Sequence, residues 1–156
     1  MFSSLQSPAF AAECESDLFG EQVVLCGGVG QLIDAAFTKL VEAGYPPEVA
    51  WFECFYEVKL VTDLMFSMGI AGAFGRISNT AEYGAYLTGP RVIGEASRTA
   101  MDEVLAEVRS GAFVRTLMAD YDAGSPDLLA RREALGQRPI EAVGAHLAAV
   151  AAKAGD

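Results

Sequence analysis

Histidine is almost missing from this sequence, and its scarcity excludes much of the usual chemistry. His146, in GAHLAAVAAK, is the only one, so a triad or a zinc site built on histidine is set aside. Basic charge is also scarce. Eleven Lys and Arg stand against 21 Asp and Glu, a net charge of −10, and such a surface repels phosphate backbones. Nucleic acid is therefore not an expected partner, whereas a divalent cation suits it well. Cys14, Cys26 and Cys54 form no C-x-x-C pair. An odd count argues against a disulfide framework and reads as thiols packed like small apolar groups. No apolar stretch reaches the ~18 uncharged residues of a membrane helix. The opening MFSSLQSPAF lacks the basic segment and apolar run of a secretory signal. The expectation is a cytoplasmic protein that makes no use of a membrane. Alternating strand patterns, repeats and low-complexity linkers are absent too.

What the chain has in excess is apolar side chains. They make up 52% of 156 residues, with mean hydropathy +0.27, which is rich for one domain. The reading is that part of this surface is reserved for a partner subunit. Helical spacing runs through residues 19–44, with Leu25, Leu32, Ala36, Leu40 and Val41 on one side and a stop at Gly44. A second helix opens on Pro46 and Pro47 and runs to Gly69. It is apolar nearly all round, as expected of a helix buried on every side. IAGAFGRISN reads as a glycine-punctuated turn, and TAEYGAYLTGP as a short helix or irregular segment. Residues 97–111 place Met101, Val104, Leu105 and Val108 on one face, and three further helices follow. The fold class is all-α, a bundle of roughly six to eight helices at ordinary helix lengths. VVLCGGVGQLIDAAF imitates a dinucleotide-binding turn, but Gly28-x-Gly30-x-x-Ile33 lacks the third small residue. No strand-like run follows it to carry a ribose-binding acid.

Two pairs of acids stand out. Asp17 and Glu21 lie four apart at the mouth of the first apolar run, and Glu53 and Glu57 lie four apart in the second helix. That spacing puts each pair on one helical face, where like charges repel, and burial would oppose their ionisation further. A divalent cation resolves the conflict, and oxygen ligands without histidine or cysteine select magnesium or manganese. The bland reading keeps each pair half solvated at a helix end, where acids favour the first turn. Lys59 offers Glu53 or Glu57 an ordinary ion pair instead. Ser78 reads equally well as the cap of a helix beginning at Asn79 or Thr80.

DLFGEQVVLCGG, LVEAGYPPEVAWFECFYEVKLVTDLM and ISNTAEYGAYLTGPRVI resemble, in order and spacing, the C-terminal knotted helical domain of ketol-acid reductoisomerase of the short bacterial type. The likeness runs from about Phe10 to RPIEAVGAHL, which makes residues 1–9 an N-terminal extension and residues 10–156 the domain. The resemblance implies an enzyme that rearranges acetohydroxy acids on two magnesium ions and then reduces the product with NADPH, in branched-chain amino-acid synthesis. It implies that Asp17 bridges both metals and Glu21 binds one. Glu53 and Glu57 would act at the second metal or the substrate, reaching in from the other subunit of an intertwined homodimer. Ser78 matches a serine on the substrate carboxylate, and Ile77, Ala81 and Cys26 match walls of that pocket. Tyr56, where the family usually has histidine, and Thr62, within its aliphatic run, bear on substrate identity rather than on metal binding.

The family's NADPH-binding domain has no counterpart in these residues, so NADPH is not expected to bind this chain alone. Three readings follow. The first is a free-standing magnesium-dependent isomerase, acting on a small 2-hydroxy-keto acid without hydride transfer. The second is the C-terminal half of a reductoisomerase that needs a separate NADPH-binding protein or domain. The third is a non-catalytic dimerisation module.

Overall fold

The structure, a computed structural model, describes residues 8–154. Most of the extension expected over residues 1–9 lies outside them. Among the described residues there are nine α-helices and two π-helical turns, and no strand. The chain runs α1 (Pro8–Gly20), a π turn (Glu21–Leu25), α2 (Gly27–Glu42), α3 (Pro47–Trp51), a second π turn (Phe52–Tyr56) and α4 (Glu57–Phe74). It continues through α5 (Asn79–Val92), α6 (Glu95–Ser110), α7 (Ala112–Asp122), α8 (Pro126–Gly136) and α9 (Pro139–Ala154). The expected all-α class holds. The helix count exceeds six to eight because each π turn divides a run that reads as one helix, and because α1 precedes the first periodic stretch.

The chain divides into two compact units, one comprising residues 8–31 and 95–132 and the other residues 32–94 and 133–154. In the first unit α6 packs on α1 and α7. Met101, Val104 and Leu105 are half-buried and Val108 is buried, which is the stripe expected from their spacing. Arg109 Nε lies 3.7 Å from Glu15 across α6 and α1. α7 starts after Gly111 in the left-handed region. The Asp120 carboxylate then caps α8, accepting from the amides of Asp127 (2.9 Å) and Leu128 (3.1 Å), which satisfies two donors at the start of that helix.

The second unit holds most of the buried side chains, with Ile33, Phe37, Ala50, Ala73 and Ile140 closed from solvent. α2 ends as its sequence predicts. Gly44 is left-handed, Tyr45 N donates to Leu40 O and Gly44 N to Val41 O, the paired bonds of a Schellman stop. α3 packs on α9, where the Trp51 indole lies so close to Gly144 that a Cβ there would sit 3.1 Å from Nε1. Arg138 grips Asp34 with two bonds, Nε to Oδ1 at 3.0 Å and Nη2 to Oδ2 at 2.5 Å.

The second helix breaks where expected: Gly69 leaves helical geometry (φ 73°, ψ 167°), and a further helical stretch follows the kink to Phe74. TAEYGAYLTGP takes the helical one of its two readings, within α5. Two expectations are corrected. The IAGAFGRISN turn is shorter than its ten residues, because the stretch to Phe74 is helical. The second helix is not buried on every side within one chain, since Leu60, Phe66 and Ile70 are exposed and Phe66 is 95% so. Its apolar character cannot be satisfied by the few residues packed against it. By length and mean hydropathy alone Phe10–Glu42 could cross a bilayer, but Asp17, Glu21 and Asp34 fall inside it.

Phe37, 2% exposed, fills the centre of the second unit. Phe37→Ala is expected to lower unfolding free energy by about 3–5 kcal/mol, measured by urea denaturation at fixed protein concentration. Phe37→Leu should recover most of that loss.

Candidate functional site

Each acid pair sits at a π turn. Asp17 lies in the last stretch of α1, and Glu21 opens the first wide turn, its carbonyl accepting from the Cys26 amide five residues on at 2.9 Å. Glu53 lies inside the second wide turn, and Glu57 closes it, its amide donating to the carbonyl of Phe52. Such turns are rare in proteins and frequent at functional sites. The sequence reading missed both, because five residues of wider winding leave the apolar periodicity nearly intact. The first had a signal in the Gly27-Gly28 pair that follows it, whereas the second lies in an aromatic run that carries no such mark.

All four carboxylates are exposed in the single chain, which corrects the expectation that they stand on buried faces. Among the described residues none of them has an ion-pair or hydrogen-bond partner. Lys59 bonds Asp63 instead of either glutamate, and this contact raises the lysine pKa. Glu53 and Glu57 share an open groove of about 330 Å³ with Val58, Val61, Thr62 and Met65. Thr62 turns its hydroxyl inward to the carbonyls of Val58 (2.7 Å) and Lys59 (3.0 Å), so its methyl group is the part free to line the groove. Burial, and then the charge of Glu53, push the Cys54 thiol up, which keeps it protonated near neutrality.

Ser78 is the N-cap of α5. Its backbone is extended, and Oγ accepts from the Ala81 amide at 3.2 Å. A hydroxyl that accepts in this way still has its own proton to donate, so capping and binding an anion are compatible. Ile77, half-buried, flanks it, and Ala81 stands exposed on the first turn. Cys26 is exposed at the end of the first π turn.

The structure thus brings the predicted residues together in small groups. Asp17, Glu21 and Cys26 belong to the first unit, whereas Glu53, Glu57, Ile77, Ser78 and Ala81 belong to the second. Among the described residues no three His, Cys, Asp or Glu side chains gather to hold a metal ion. The donors on offer are carboxylate oxygens in pairs, which fits magnesium or manganese by donor chemistry.

Ser78→Ala should cost about 1 kcal/mol through loss of the cap, seen in thermal or urea melts. Ser78→Asn should restore the stability. If both variants melt like the parent, the capping bond contributes nothing.

Comparison with known proteins places these groups in context. Residues 10–153 match the family described as "Ketol-acid reductoisomerase, C-terminal domain". A solved structure described as an NADH-preferring ketol-acid reductoisomerase from an uncultured archean is 46% identical, with a TM-score of 0.87. The alignment covers 88% of this chain and 42% of that one, so the chain spans less than half the length of this relative.

Proposed function

This chain belongs to the ketol-acid reductoisomerase family through its C-terminal domain, and from that premise we propose that it forms the metal- and substrate-binding half of a reductoisomerase. The reaction is the rearrangement of an acetohydroxy acid by alkyl migration, followed by hydride reduction of the new ketone. The observation that carries this reading is the two carboxylate pairs without partners, each at a π turn, in a domain 46% identical to an enzyme of that class. A free-standing isomerase, the first of the three sequence readings, draws no support from either similarity, whereas the half-enzyme reading draws on both. The non-catalytic module is disfavoured because carboxylates closed under a partner without compensation would cost several kcal/mol.

In this proposal magnesium is the cation held by Asp17 and Glu21 of one protomer and by Glu53 and Glu57 of a second copy. It supplies Lewis acidity that polarises the substrate's oxygens. The chain's own residues do the rest of the binding. The Ser78 hydroxyl, its oxygen engaged by the Ala81 amide, donates to the substrate carboxylate. Ile77, Ala81 and Cys26 form apolar walls that exclude water from the migrating group. The hydride comes from a nicotinamide held by a separate domain, on the same polypeptide or another, and the NADH preference in the relative's description leaves either nicotinamide eligible. Exposed apolar residues on α4, Phe66 foremost, supply area for a second copy, and sharing the site between copies explains why one chain carries only half-sites.

Complementation tests the shared site. Asp17→Asn and Glu53→Gln should each abolish magnesium uptake measured by calorimetry. Coexpression of the two variants should pair one intact half-site from each chain, restoring about a quarter of the wild-type sites in a statistical mixture of two-fold dimers. Supplied with a reductoisomerase nicotinamide domain, acetolactate and magnesium, the mixture should oxidise the nicotinamide while neither variant alone does. Uptake by either single variant at the wild-type level, or a mixture as inert as its parts, overturns the reading.

A further inference from the structure

The first π turn is bought with a glycine. The Cys26 amide reaches back five residues to Glu21, and α2 begins at the next residue, Gly27. A Cβ on Gly27 would stand 2.0 Å from the carbonyl oxygen of Gln22 and 3.0 Å from its carbon. One on Gly28 would stand 1.9 Å from the carbonyl oxygen of Val23. The obstacles are backbone atoms, which no rotamer change can move aside. Gly30, in the same helix, has nothing within 4 Å of the equivalent position, so the constraint belongs to the turn and not to α2 as a whole.

We propose that Gly27 is a positioning residue that keeps the wide turn open and so sets the direction in which Asp17 and Glu21 point relative to α2 and Cys26. A side chain at this position forces the Gln22 carbonyl away. The readiest relief is to close the turn with ordinary i→i−4 bonds. Winding the extra residue into regular α-helix swings everything before it by about 100° around the axis and about 1.5 Å along it. Asp17 and Glu21 both lie before or at the start of the turn, so both are re-aimed, while Cys26 and α2 stay in place. Gly27 itself touches neither metal nor substrate. This inference rests on the reading of Asp17 and Glu21 as magnesium-holding acids.

The test compares Gly27→Ala with Gly30→Ala in the intact protein, by magnesium calorimetry and by thermal melts in chelator. Gly30→Ala should bind like the wild type. Gly27→Ala should keep its helical circular dichroism and melt lower in chelator, because α1 must shift on α6, and should bind magnesium at least about tenfold more weakly, the scale seen when groups that orient metal ligands are changed. Wild-type affinity in Gly27→Ala overturns the inference alone. No uptake by the wild-type protein defeats the reading of the acids, and this inference with it. Should Gly27→Ala fail to fold, the same substitution is made with Val24 deleted, which removes the extra residue and lets the segment close as a continuous α-helix with Asp17 and Glu21 in their original phase. A folded double variant with wild-type binding supports the inference, and one with weakened binding overturns it. A deletion variant that also fails to fold overturns it too, since the turn would then be a requirement of the fold and not a device for aiming the acids.

Discussion

Like charges held one helical turn apart are the constraint on which this molecule depends. Repulsion between Asp17 and Glu21, and between Glu53 and Glu57, is tolerable while water surrounds them and becomes costly once anything closes over them. No cation within the described chain offsets it: Lys59 is taken by Asp63, Arg109 lies near Glu15, and Arg138 is held by Asp34. Anything that covered these acids would have to bring positive charge with it.

The apolar surface follows the same logic. Phe52, Phe55 and Tyr56 surround Glu53 and Glu57 in sequence and are each about half exposed, with edge-on contacts among themselves and with Trp51. Aromatic rings left open beside unpaired carboxylates form a surface that the proposed second copy and its cation would satisfy together. In the proposed assembly burial and neutralisation would be one event, with the rings supplying the driving force and a cation removing the penalty.

Much of this was legible before any coordinates. The stripe Met101, Val104, Leu105 and Val108 named the buried face of α6, Gly44 named the end of α2, and Ser78 named the cap of α5. Each rests on a local rule that operates within one turn of chain. The π turns were not legible, because their signature is a hydrogen bond to the fifth residue back, and winding changes little in the pattern of apolar residues. Gly27 and Gly28 were visible but read as a decoy for a phosphate turn, when they serve a crowded backbone. The exposure of α4 was also hidden: Phe66 looks the same in sequence whether it faces its own core or a neighbour's.

The grip of Arg138 on Asp34 joins residues 104 positions apart, and between them lies all of α6 and α7. The second unit is begun at residue 32 and cannot be sealed until residue 138 emerges from the ribosome, after most of the intervening unit has been made. Closing so long a loop adds to the contact order that slows folding. Ile33 and Phe37 are consequently made long before Ile140, another buried side chain of their unit. The buried set of this unit is therefore complete only once α9 has been made.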